Sequence, residues 1–170
     1  MSDDIIFTSV HGSRLYGLDH EGSDRDSIIV YGDKRKARHK HVGKDDTIHI
    51  GLADLLDKAF SGAPQFVEAV FSHQKEWTNT DWRPMFDSFR VPVSAVRAKY
   101  MRTIRAFIGT DTQKSRQHAV RLGVALRDLR RNNGWYSPTL TADDVALVKS
   151  TALAYRDEEL LQQIEEIIYE

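Results

Sequence analysis

Residues 11–26 read HGSRLYGLDHEGSDRD. The stretch lies between two β-branched runs, IIFTSV at 5–10 and SIIVYG at 27–32, and each reads as a strand. The first strand is expected to pass through a tight turn at His11-Gly12-Ser13 into a helix from Arg14 to about His20. The second is expected to begin on an acidic leading edge, Asp24 to Asp26, where two carboxylates at i and i+2 share one face. A pair of hard oxygen ligands suits Mg2+ or Mn2+, which keep waters and substrate phosphates in their remaining positions. Gly12 lets the backbone come close to a ligand, and the N–H groups that follow, from Ser13 onward, can face a phosphate. One half of the stretch therefore suits a metal and the other a phosphate.

Working outward, KRKARHKHVGK at 34–44 is a basic connection, and DTIHIG after it alternates as a third strand. The second and third strands are expected to pair antiparallel across that connection. LADLLDKAF at 52–60 carries apolar residues at helical spacing. Beyond Gly62, PQFVEAVFS opens a further helix with proline in its first turn. Turn formers and tryptophans gather in WTNTDWRPMFDSFRVP at 77–92, which reads as a boundary between a core at 1–90 and a helical lobe at 91–170. Helices are expected at about 93–109, 113–132 and 142–168. Gly134 should stop the second of these, and Thr141 should cap the third with Asp144 three residues on. Tyr16, Trp77, Trp82 and Trp135 read as packing residues. The fold class is α/β in the broad sense (α+β): a small mixed sheet with helices, then a helical lobe, with the active site in the cleft between them.

With 170 residues, 41% of them apolar and 29% charged, the chain can bury one sizeable core and has the profile of an ordered protein. A net charge of −1 gives no whole-protein field toward nucleic acid or anionic lipid, so any basic surface must be local. Without cysteine, metal ligands must be oxygen or imidazole. The N-terminus is acidic and no apolar run approaches the ~18 residues of a membrane span, so a cytoplasmic protein without a membrane partner is expected.

Gly-Ser followed about ten residues later by Asp-x-Asp resembles the signature of the DNA polymerase β-like nucleotidyltransferase superfamily. GSRLYGL with SDRD is similar, more narrowly, to the predicted nucleotidyltransferases that include RNA-ligase-associated polymerases. The helix pair at 52–72 and KSRQHAVRL at 114–122 resemble later parts of that family, although Ala63 stands where the family has an asparagine before proline. The resemblance implies transfer of a nucleoside monophosphate from an NTP to an acceptor hydroxyl, with RNA repair as one setting. It implies two Mg2+ or Mn2+ ions held by Asp24, Asp26 and a third carboxylate, with Gly12 and Ser13 on the phosphates.

Asp46 is favoured as the third carboxylate because its alternation partners Ile48 and Ile50 match Ile28 and Val30, while Asp45, His49 and Glu68 remain alternatives. Lys114, His118 and Arg121 fall on one helical stripe, and with Arg14 they are the expected nucleotide-binding cations. The basic 34–44 segment could touch an RNA acceptor. A protein-modifying AMP transferase of antitoxin type, or a degenerate nucleotide-binding or RNA-binding regulator, would share the same motif.

Overall fold

The computed structural model describes residues 4–153 and 156–170. The chain divides into two compact units, Met1–Phe89 and Arg90–Glu170. The first unit is a five-stranded mixed sheet with helices, and the second is helical, as an α+β architecture requires.

In the first unit the strands are β1 (Ile5–His11), β2 (Asp26–Tyr31), β3 (Arg38–Val42), β4 (Asp45–Gly51) and β5 (Lys75–Trp77), in the spatial order β3-β4-β2-β1-β5. β1 runs antiparallel to both β2 and β5. The expected antiparallel pairing of the second and third sequence-predicted strands is wrong, because β2 and β4 lie parallel, with Asp26 opposite Asp46 and Ile28 opposite Ile48. The cause is β3. The basic connection carries a strand of its own at the sheet edge, which turns at Gly43 and returns antiparallel as β4.

Backbone contacts hold this crossover in place. The chain leaving β2 passes over the end of β4, where Gly51 N–H donates to Arg35 O at 2.9 Å. A side chain on Gly51 would begin 2.4 Å from Asp33 O, so only glycine lets the two backbones approach. The buried Asp54 then accepts from Ala37 N–H at 2.9 Å and from Lys36 Nζ at 3.2 Å. Burial works against its charge, but these bonds outweigh burial and hold the carboxyl below the ordinary aspartate range.

Helix α1 (Ser13–Tyr16) is shorter than the expected span to His20, because Gly17 takes a left-handed conformation, φ 80°, and ends it. Helices α2 (Leu52–Phe60) and α3 (Pro64–Phe71) pack on the sheet, α2 against β4 and β2 and α3 against β1. Their buried residues Leu55, Ala59, Val67 and Val70 belong to the same core as Phe7, Ile28, Val30, Ile48 and Ile50. After β5 a single 3-10 turn (Thr80–Trp82) leads into α4 (Arg83–Ser88). Phe7, Trp77 and Phe86 form an aromatic cluster with ring centroids 5.1–5.6 Å apart.

In the second unit α6 (Gln113–Arg131) is central, packed by α5 (Val93–Thr110), α7 (Ala142–Ala152) and α8 (Asp157–Tyr169). Its surroundings explain why a helix rich in arginine can be largely buried. Arg116 pairs with Asp157 at 2.9 Å, and Arg127 pairs with Asp128 at 2.8 Å and Asp144 at 3.0 Å, so their charges are met as they leave water. Gly123 lets α8 come close, since a Cβ there would stand 2.8 Å from Ile164 Cγ2. Thr141 caps α7 by accepting from Asp144 N–H at 3.1 Å. The expected single helix at 142–168 is instead the two helices α7 and α8, and the part of that expectation at 154–155 lies outside the described residues. Trp135, read as a packing residue, is 39% exposed. No described helix is long and apolar enough to cross a membrane.

Candidate active site

Strand register gathers four titratable side chains into one row across the sheet. His11 on β1 lies opposite Asp26 on β2, Asp26 opposite Asp46 on β4, and Asp46 opposite His41 on β3. Residues paired across neighbouring strands share a face, so the row continues the face on which Phe7, Ile28, Val30, Ile48 and Ile50 are buried. It marks the end of the core: the same alternation that places isoleucine inside places the acids one step further, at the rim. His11 is 8% exposed, and its Nε2 is buried without a hydrogen-bond partner among the described residues. Asp46 Oδ1 is likewise buried without one among those residues. His41 Nδ1 stands 3.4 Å from that oxygen, close enough for an ion pair but without hydrogen-bond geometry. The other oxygen, Oδ2, meets His39 Nδ1 at 2.7 Å.

Gly12 follows His11 with φ 76° and serves as the N-cap of α1, where its carbonyl accepts from Leu15 N–H at 3.0 Å. The Asp26 carboxylate occupies the space beside it, 2.7 Å from where a Cβ on residue 12 would stand. The turn and the acid are thus neighbours, with no room for a side chain between them. Ser13 is the first residue of α1, next to this contact.

Asp24 precedes β2 rather than beginning it, and is exposed. Its position is fixed by Arg14, whose Nη2 donates to Ser23 O at 3.0 Å and whose Nε donates to Asp24 O at 3.3 Å. Arg14, expected to meet phosphate, spends these two groups on ordering the acidic loop. A turn closed by Ser23, whose Oγ accepts from His20 N–H at 2.9 Å, completes the loop.

The alternatives for the third carboxylate lie in different places. Asp45 is exposed and accepts from Arg25 N–H at 2.8 Å. His49 sits opposite Ile29, off the row, and meets Tyr31 OH at 2.8 Å. Glu68 is buried in α3 and accepts from Tyr16 OH. Only Asp46 of the four is in register with Asp26.

Lys114, His118 and Arg121 belong to the second unit, all on α6. They differ sharply in exposure: Lys114 is exposed, His118 half-buried and Arg121 buried. Burial, with Arg121 and Lys114 adding repulsion, lowers the His118 pKa to about 4, so its imidazole is neutral at pH 7. Arg121 lines a small cavity of about 80 Å³ with Val124, Ala125 and Tyr136.

The basic 34–44 segment borders a groove of about 560 Å³ lined by Asp33, Arg35, Lys36, Arg38, His39, Lys40 and His49. Sequence reasoning missed His11 and His41 as members of the row, and His39 as a neighbour that reaches Asp46 from one pair along. The H-x-H spacing at 39–41 was the available signal, but it means one shared face only once the segment is known to be a strand.

No family model matches the chain, and no curated protein matches it. Among solved structures it is similar to the 1.90 Å crystal structure of a nucleotidyltransferase-like protein from Exiguobacterium sibiricum 255-15. The TM-score is 0.41 and the identity 11%, over 98% of this chain and 68% of that one.

Proposed function

We propose that the protein transfers a nucleoside monophosphate from an NTP to an acceptor hydroxyl, with release of pyrophosphate. The observation that supports this most directly is the in-register pair Asp26 and Asp46 beside the Gly12 turn. Two carboxylates on neighbouring strands, one with a buried oxygen that lacks a partner, form a hard oxygen donor set suited to Mg2+ or Mn2+. Asp26 and Asp46, with Asp24 from the loop, would hold the metal. When bound it supplies charge neutralisation on the phosphates and orientation of the attacking and leaving oxygens. Gly12, having no side chain, lets the Asp26 carboxylate sit against the turn, so that metal held there would lie beside the triphosphate, with Ser13 offering its N–H at the start of α1. Arg14 keeps Asp24 in reach by holding the carbonyls of residues 23 and 24.

The cationic groove at 34–40 favours a polyanionic acceptor such as an RNA end, since Arg35, Lys36, Arg38 and Lys40 outnumber the single acid Asp33 along it. Incubation of the protein with each labelled NTP, Mg2+ or Mn2+ and an RNA oligonucleotide tests the proposal. Label should pass to the acceptor, and Asp26→Asn should lower the rate by roughly a hundredfold or more while keeping the far-ultraviolet dichroism of the native chain. A folded Asp26→Asn protein that transfers at the native rate would overturn it.

A further inference from the structure

The β3–β4 hairpin carries a second donor set with different chemistry. His39 and His41 alternate onto one face of β3, and their rings lie nearly parallel, 16° apart in plane with centroids 6.0 Å apart. Both turn Nδ1 toward the carboxylate of Asp46, at 2.7 Å from Oδ2 and 3.4 Å from Oδ1. One ligand atom from each of the three residues lies within 4.8 Å of the others.

We propose that this trio is a binding site for a borderline divalent cation of the zinc type. Two ligand atoms held about 2.0–2.2 Å from a tetrahedral zinc stand roughly 3.3–3.5 Å apart, which is already the separation of His41 Nδ1 and Asp46 Oδ1. The closer His39 contact is a hydrogen bond that needs to open by about 0.6–0.8 Å once a metal takes the place of the shared proton. Imidazole nitrogen selects zinc, cobalt or nickel over magnesium, whose preference is for oxygen. Asp46 is only 19% exposed and keeps an unpartnered oxygen, whereas the imidazoles are 44% and 70% exposed. The anchoring ligand is therefore fixed in the sheet and the metal has an open path from solvent. Three protein ligands leave a fourth position for water.

The site shares Asp46 with the proposed transfer centre but does not depend on it, and its test uses neither NTP nor acceptor. Untagged protein is titrated with ZnCl2 by calorimetry, and with CoCl2 by visible absorption. One equivalent should bind, the cobalt form should show the intense bands of four-coordinate Co2+, and excess MgCl2 should leave those bands in place. His39→Ala and His41→Ala should each weaken binding by roughly tenfold or more, and Lys40→Ala, whose side chain alternates to the other face of β3, should leave it unchanged. Asp46→Asn provides an independent variant should a histidine variant fail to fold, and it should lose affinity to a similar degree. Absence of stoichiometric binding, or native affinity in the folded histidine variants, would overturn the proposal. Loss of nucleotidyl transfer would not bear on it.

Discussion

The carboxylate of Asp26 lies against Gly12: a Cβ on residue 12 would stand 2.7 Å from Asp26 Oδ2. Gly12→Ala therefore has two separate consequences, backbone strain at φ 76° and displacement of a carboxylate. Gly17→Ala serves as a control for a positive φ alone, because φ there is 80° and no atom of the described residues lies within 4 Å of the new Cβ. Gly17→Ala, in the left-handed helical region at ψ 25°, should lose about 1–2 kcal/mol in chemical denaturation, and Gly12→Ala more, because its ψ of −159° lies where only glycine is at ease. Only Gly12→Ala should lose the additional thermal stabilisation that Mg2+ and NTP give together. Equal ligand responses in the two variants would mean that Asp26 does not need its place beside the turn.

Arg14 holds the loop that carries Asp24 through two backbone carbonyls. Arg14→Ala should cost about 1 kcal/mol or less of global stability, because the contacts are partly exposed. The local effect should be larger, with faster tryptic cleavage after Arg25 and weaker binding of Mg2+-NTP. Arg14→Lys should not restore the native cleavage rate, since one ammonium cannot reproduce a guanidinium reaching two carbonyls from separate nitrogens. Native cleavage kinetics in Arg14→Ala would remove its positioning role.

Tyr16 OH donates to Glu68, which is 1% exposed. Tyr16→Phe leaves that carboxylate with fewer bonds in a place water does not reach, and should cost about 1–3 kcal/mol in urea denaturation. Glu68→Gln should cost less, because the amide oxygen can still accept from the phenol. The reverse order of the two losses would show that the charge of Glu68, rather than its bond to Tyr16, matters to the fold.

His118 titrates at about 4 in the folded chain, against 6.5 for an ordinary histidine, first because of burial and then because of Arg121 and Lys114. The unfolded chain therefore binds a proton that the folded chain refuses between those values. Stability is fully present above about pH 6.5 and falls as the pH drops toward 4, by an amount on the order of 1–3 kcal/mol. His118→Gln should flatten this part of the stability profile measured by thermal melts from pH 7 to pH 4. An unchanged profile would place the acid sensitivity elsewhere.

Much of the first unit could be read from β-branched runs and glycines, because β1, β2 and β4 each bury one face and so carry the two-residue alternation that a buried face imposes. β3 left no such trace. All five of its residues are exposed, so RHKHV reads as a charged connection. Overlooking it reversed the relation between β2 and β4, since a strand placed at the edge turns a hairpin into a crossover. The register of Asp46 with Asp26 could be anticipated because Ile48 and Ile50 mark time against Ile28 and Val30. His41 of the same row, and His39 beside it, could not be, as their place follows from β3. The split between α7 and α8 was hidden because apolar residues at helical spacing occur on both sides of it.

β3 also bears on how the chain behaves in the company of its own copies. An edge strand presents unpaired N–H and C=O groups that invite another strand to add on. Here the edge carries Arg38 and Lys40, so a second molecule docking its own β3 would set cations against cations. The same residues that border the basic groove thus act as a safeguard against sheet extension. Polyanions that neutralise Arg38 and Lys40 would weaken that repulsion, making self-association of the chain a matter of what its hairpin has bound.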